Sequence, residues 1–211
     1  MSLRPATAPA RDVLAGDRVR LEPLDPDRHA ADLHAEAAGD PRLWDYLPYG
    51  PFPDLAELRD HLARQAGSSD PLFFAVVVAG RAVGVVSYLR IEPEHACIEI
   101  GHIWFGASLQ RTPAATEVVY LLARHAFDDL GNRRLEWKCD AANARSRRAA
   151  ERFGFTFEGV FRQHMIVKGR NRDTAWFSIV DGEWPEVREA FERWLDPANF
   201  DADGRQRTPL R

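Results

Sequence analysis

Cysteine, long apolar runs and a dominant charge sign are all scarce in this chain, and each shortage closes off a class of protein. Only two cysteines occur, Cys97 and Cys139, both inside apolar runs that read as strands. They are expected to be small buried thiols, not a disulfide framework. The seven histidines lack the spacing of metal ligands, so no metal is expected. No window approaches the roughly 18 apolar residues that cross a bilayer. Residues 1–16 carry Arg4, Arg11 and two prolines but no apolar core of about seven residues, so a secretory signal is not expected. No expected strand is followed by a glycine fingerprint of the dinucleotide or P-loop type. A formal charge of −4 argues against whole-chain attraction to nucleic acid or anionic membrane. A cytoplasmic setting is the resulting expectation, with neither nucleic acid nor membrane as partner.

What is present is an ordinary globular composition, 45% hydrophobic and 28% charged over 211 residues, a length that favours one domain. Residues 1–16 and 197–211 are rich in Pro, Ala, Asp and Arg without periodicity and read as a flexible N-terminus and a flexible tail. Residues 17–196 read as the single folded domain.

Residues 18–24 alternate as an edge strand. Residues 27–38 and 54–66 read as helices that open on acidic residues. Apolar or β-branched runs over 72–78, 83–91 and 96–105 predict three antiparallel strands. Over 113–130 the period changes to that of a helix, with Gly131 as its stop. A strand at 134–139, a helix at 143–152, strands at 155–160 and 173–180, and a helix at 185–195 follow. The order predicts a mixed α+β fold, a mainly antiparallel twisted sheet of about seven strands flanked by helices. The helix between the fourth and fifth strands demands a crossover, hence a local parallel pairing there.

Two helix starts carry chemistry. Thr112 can cap the first, with Pro113 at its first position, and a helix start offers free amides to an anion. Asn143 can cap the second, where Arg145, Arg147 and Arg148 crowd the first turn. Cations there oppose the helix dipole at up to about 1 kcal/mol each, so either a bound anion offsets them or they point into solvent.

The runs Gln110-Arg111-Thr112-Pro113-Ala114-Ala115-Thr116-Glu117, Asn143-Ala144-Arg145-Ser146-Arg147-Arg148 and Arg152-Phe153-Gly154-Phe155 together resemble the GNAT N-acetyltransferase superfamily. Its ribosomal-protein N-terminal acetyltransferase-like branch is the nearest in pattern. The resemblance implies acetyl-CoA, or another acyl-CoA, held in a V-shaped opening between the fourth and fifth strands. Its contacts would be Ile103, Trp104 and Phe105 on the fourth strand, Gln110, Arg111, Thr112, Ala114, Ala115 and Thr116 around the pyrophosphate, and Asn143 and Arg148 on the second helix. It also implies an oxyanion site at a main-chain amide near Ile103 or Trp104, and a homodimer is common among similar proteins. Two features depart from the pattern. The superfamily usually has glycines where Pro113 and Ala115 stand, and Pro113 has no amide to donate. No tyrosine follows Tyr120, so Ser146 or water must serve where relatives use a tyrosine.

Glu99, among Ile98, Ile100 and Ile103, is the first candidate for general base, because desolvation raises a carboxylate pKa. The alternative is an ordinary ion-paired strand glutamate. Simple alternation places Glu99 with Gly101 and Ile103, and His102 on the opposite face with Ile98 and Trp104. Ser146 is the candidate acid for the leaving thiolate, or else bonds its own helix start. Trp44, Tyr46 and Tyr49 in an aromatic loop, and His164 near a basic hairpin, are expected to line the acceptor pocket. The acceptor would be a small-molecule amine or a protein N-terminus, and one with an acidic or peptide-like portion fits these walls better than a polyamine. The competing reading is a non-catalytic acyl-CoA sensor or a degenerate acetyltransferase.

Overall fold

A computed structural model describes residues 4–211. The sheet has eight strands: β1 (Leu14–Ala15), β2 (Arg20–Pro23), β3 (Leu72–Val78), β4 (Arg81–Glu92), β5 (Cys97–Phe105), β6 (Arg134–Asp140), β7 (Thr156–Val167) and β8 (Arg170–Val180). Their order across it is β1-β2-β3-β4-β5-β6-β8-β7. The five α-helices are α1 (Pro26–Ala37), α2 (Leu55–Ala66), α3 (Pro113–Arg124), α4 (Ala144–Arg152) and α5 (Trp184–Leu195). The mixed α+β architecture is as expected, with the two-residue β1 added at one edge. Residues 1–3 of the expected flexible N-terminus lie outside the described residues.

Every neighbouring pair is antiparallel except β5 and β6, which α3 joins by the expected crossover. Their parallel register runs from Cys97↔Arg134 to Ile100↔Trp137 and ends there. β5 continues to Phe105 and β6 to Asp140 without pairing to each other, which opens the sheet.

The two faces are built differently. On the first, Phe74, Ile98, Ile100, Leu135 and Phe177 pack against Val118, Leu122 and Phe191 from α3 and α5. On the second, Phe73, Ala75, Val85 and Trp104 pack against Leu33, Leu58 and Leu62 from α1 and α2. That second apolar layer stops at β5. From β6 outward, strand alternation puts Glu136, Lys138, Thr174 and Trp176 on the same face, where a hydrocarbon layer would leave their polar atoms unpaired.

Three local differences from the sequence reading have physical causes. α3 ends at Arg124 and a wider π-helical turn, His125–Asp129, completes the segment, so the apolar period continues while the hydrogen-bond pattern changes. β7 runs on to Val167 although the sequence reading ends it at residue 160. Register shifts between Phe157/Gly159 and Phe161/Met165 break its alternation. Residues 197–211, read as a free tail, make ordered contacts: the Trp194 indole donates to Gln206 Oε1 at 2.9 Å, and Leu210 is buried.

Candidate active site

A cleft of about 1170 Å³ passes through the parted strands. The half of it where the donor is expected is made by the two helix starts. Thr112 caps α3, its hydroxyl accepting from the Ala115 amide at 3.2 Å and donating to Leu109 O at 2.7 Å. Its own amide bonds Leu109 O at 3.3 Å. In the sequence reading the amides of Arg111, Thr112, Ala114, Ala115 and Thr116 all face an anion. The cap engages those of Thr112 and Ala115, and Thr116 is the first residue able to bond back to Thr112 within the helix. Arg111 takes the turn's left-handed conformation, φ 62°. Asn143 caps α4 by accepting from the Ser146 amide at 3.1 Å.

The donor half is strongly cationic. Arg42, Arg111, Arg145 and Arg148 surround one outer lobe of the cleft, with Asp40 as its acid. Arg152 lies deeper, donating to Thr116 Oγ1 at 3.1 Å with its guanidinium 4.8 Å from the Trp194 ring. Burial pulls the Arg152 pKa down, and no carboxylate lies within 4.0 Å among the described residues. Exposed arginines at the rim and the half-buried Arg152, beside free amides, suit a phosphate-bearing donor. Arg152 was read only as part of a motif, because its approach to the cleft depends on how α4 packs against α3.

Ser146 and Glu99 approach the opening from opposite faces. The Trp137 indole donates to Ser146 Oγ at 3.0 Å, so the hydroxyl proton is left to point elsewhere. Trp137 belongs to the first face. Glu99, 5% exposed, points to the second, where Lys138 Nζ lies 3.0 Å from its Oε2 and Arg90 Nε 3.8 Å. Burial pushes the Glu99 carboxyl above the usual carboxylate range, and Lys138 holds it back. Glu136 sits 2.6 Å from the same ammonium and 2.7 Å from Arg134. Burial opposes its ionisation too, but these cations win and its pKa lies below the ordinary value.

The expected alternation fails at His102. Its φ of 50° and the register shift between Val85/Ser87 form a bulge that turns His102 onto the Glu99 face. There its ring stacks 5.7 Å from Tyr49 and lies 5.1 Å from Phe73, while Ile103 packs against the opposite core. Glu99 and His102 therefore share one face of the sheet. Burial pushes His102 down to about 4, so its imidazole is neutral at pH 7.

Of the expected donor contacts, Ile103, Trp104, Phe105, Gln110, Arg111, Thr112, Ala115, Thr116, Asn143 and Arg148 line the cleft, and Ala114 does not. Tyr46 and His164, expected to meet the acceptor, line the cleft too. The Tyr46 hydroxyl donates to Ala142 O at 3.3 Å, and His164 Nδ1 lies 2.9 Å from Thr174 Oγ1. Trp44 and Tyr49 stand behind the wall. Trp44 is 4% exposed in the second core, 5.2 Å from Phe52 and 5.3 Å from Trp104. Both are apolar enough to be drawn into that core instead of facing water. Arg90, Lys138 and Trp176 line the cleft unforeseen, because strand residues far apart in sequence give no local signal.

A parted pair of parallel strands, with a capped helix start on each side, defines an N-acetyltransferase of the GNAT type. Residues 18–156 match the family model described as the acetyltransferase (GNAT) domain, and the chain belongs to that family. A GCN5-related N-acetyltransferase from Brucella melitensis is 46% identical with a TM-score of 0.97, covering 99% of this chain and 96% of that one. An uncharacterized N-acetyltransferase of Bacillus licheniformis is 26% identical over 73% of this chain and 89% of its own. The ribosomal-protein-serine acetyltransferase of Escherichia coli is 32% identical over 52% of this chain and 62% of its own. The family uses acetyl-CoA as co-substrate, and the cationic donor half fits such a phosphate-bearing molecule.

Proposed function

We propose that the chain moves an acetyl group from acetyl-CoA to a primary amine, carried by a small molecule or a protein N-terminus, by direct attack in a ternary complex. The observation that carries this reading is the gap beyond Ile100 and Trp137, through which a donor on one face meets an acceptor on the other. The amine nitrogen bonds to the acyl carbon, the carbon–sulfur bond breaks, and the nitrogen's proton passes to Glu99 directly or through water. Ser146, its oxygen engaged by Trp137, donates a proton to the departing sulfur and regains one from water, to which Glu99 releases the proton it took. The developing oxyanion is met by a main-chain amide near Ile103 or Trp104, on the stretch of β5 that has left the β6 ladder. The phosphates of the donor are met by Arg111, Arg148 and Arg152 with the amide of Arg111. The two free cysteines accord with a reducing, cytosolic setting.

Thiol release from acetyl-CoA with a panel of amines tests the reading. Glu99→Gln is expected to lower kcat roughly 10²- to 10⁴-fold while acetyl-CoA still stabilises the protein to heat. The wild-type rate should fall as pH drops through a value above the ordinary carboxylate range, since Glu99 accepts a proton only when ionised. One observation favours a second reading: the 3.0 Å ion pair with Lys138 competes with base function. Donor binding without turnover on any amine would select the acyl-CoA sensor.

A further inference from the structure

The acceptor side contains one cation that none of its acids pairs. Glu99 and Glu136 share Lys138, at 3.0 and 2.6 Å, and Arg134 pairs with both Glu136 and Glu158. Arg90 lies 3.8 Å from Glu99 and 3.9 Å from Glu92. Arg172 lines the same cleft, yet among the described residues no carboxylate lies within 4.0 Å of it. Its Nε is shut off from solvent and has no hydrogen-bond partner. Two positions of alternation along the same strand face, the Trp176 indole nitrogen is likewise buried without a partner. Between them Thr174 is already engaged with His164 at 2.9 Å.

Buried donors without acceptors are costly, most of all when the group is charged. Two of them in one open cleft point to a ligand that supplies acceptor atoms. Its charge must be negative to offset Arg172. The positive charge of Arg172 is also felt at His102 and Cys139, on the two strands that part to form the opening, after burial has acted on each. Arg172 lines the same cavity as His102 and Cys139, where an amine would meet the acyl carbon.

We propose that the acceptor is an amine bearing a carboxylate a few bonds from its nitrogen, and that Arg172, assisted by the Trp176 indole N–H, binds that carboxylate. This rests on the acetyl-transfer reading above. Lys138 cannot serve the same purpose, because two carboxylates of the protein already hold it. The carboxylate can be that of a free amino acid or the side chain of an acidic residue near a peptide N-terminus. A polyamine, with cations in place of acids, is disfavoured by Arg172.

The test measures kcat and KM for free amino acids, the same compounds as carboxamides, short peptides with and without an acidic residue near the N-terminus, and polyamines. Wild type is expected to prefer carboxylate over carboxamide about ten- to a hundredfold in kcat/KM, the scale of one charged hydrogen-bonded contact. Arg172→Gln should raise the acceptor KM by that factor, leave the acetyl-CoA KM unchanged and abolish the preference, with Arg172→Lys recovering part of it. Trp176→Phe, which keeps the ring beneath Lys138, should produce a smaller rise. Preference for free amino acids or for acidic peptides identifies the source of the carboxylate. Equal use of carboxylate and carboxamide, better use of polyamines, or failure of every carboxylate-bearing amine to be acetylated overturns the proposal. Failure of acetyl-CoA to stabilise the fold or to yield thiol with any amine instead strikes the acetyl-transfer reading itself.

Discussion

The donor and acceptor halves of the cleft meet at one gap but are made from different kinds of structure. The donor half consists of helix starts, whose capping residues, amides and arginines lie within a few positions of one another in the chain. The acceptor half consists of alternate residues from β5, β6, β8 and the bulge at His102, brought together only by strand register. The first kind of site is robust, because each helix start is a local solution to its own hydrogen bonding. The second depends on a charge balance across three strands, where removal of one member leaves others buried and unpaired.

Mutations should separate the halves. The largest effect is expected for Lys138→Met, which leaves Glu99 and Glu136 buried without their shared cation. A loss of roughly 3–5 kcal/mol in denaturant unfolding is expected, and an undiminished midpoint would show that water enters this face freely. Lys138→Arg should recover much of it. In the donor half, Arg152→Gln should weaken acetyl-CoA about tenfold by calorimetry, the scale of one charged hydrogen bond, with the acceptor KM unchanged. A matching change in acceptor KM would mean the two halves are not separable. Asn143→Ala should cost about 1 kcal/mol of stability through the lost cap on α4.

The smallest effect concerns pH. Burial pushes both His61 and His102 down to about 4 from their ordinary value of 6.5. The unfolded chain then binds more protons between those two values, so stability is full above 6.5 and declines as pH falls toward 4. His61 lies 4.4 Å from the Tyr49 ring and 4.7 Å from Phe52, so His61→Phe keeps the packing. It should make the urea midpoint less sensitive to pH between 7 and 5, and an unaltered slope would count against burial as the cause.

Much of the donor half could be read in the chain because Thr112 and Asn143 cap helices by bonds to residues three positions on. The parallel pairing of β5 and β6 followed from the intervening helix alone. The acceptor side was only partly legible. Glu99 was found because a glutamate among isoleucines is conspicuous. Its partner Lys138 was not, since register across two strands is required to place them 3.0 Å apart. Trp44 and Tyr49 misled because an aromatic loop can wall a pocket or fill a core, and only the position of α1 and α2 chooses between these.

By itself the sequence determined the elements, the capped helix starts and the crossover that makes one strand pair parallel, all consequences of short-range hydrogen bonding and hydrophobic period. Tertiary structure decided where the parallel pair stops, which face His102 takes, and which cation is left without an acid. Those outcomes depend on register and on burial summed over distant strands, and no local stretch of chain encodes either.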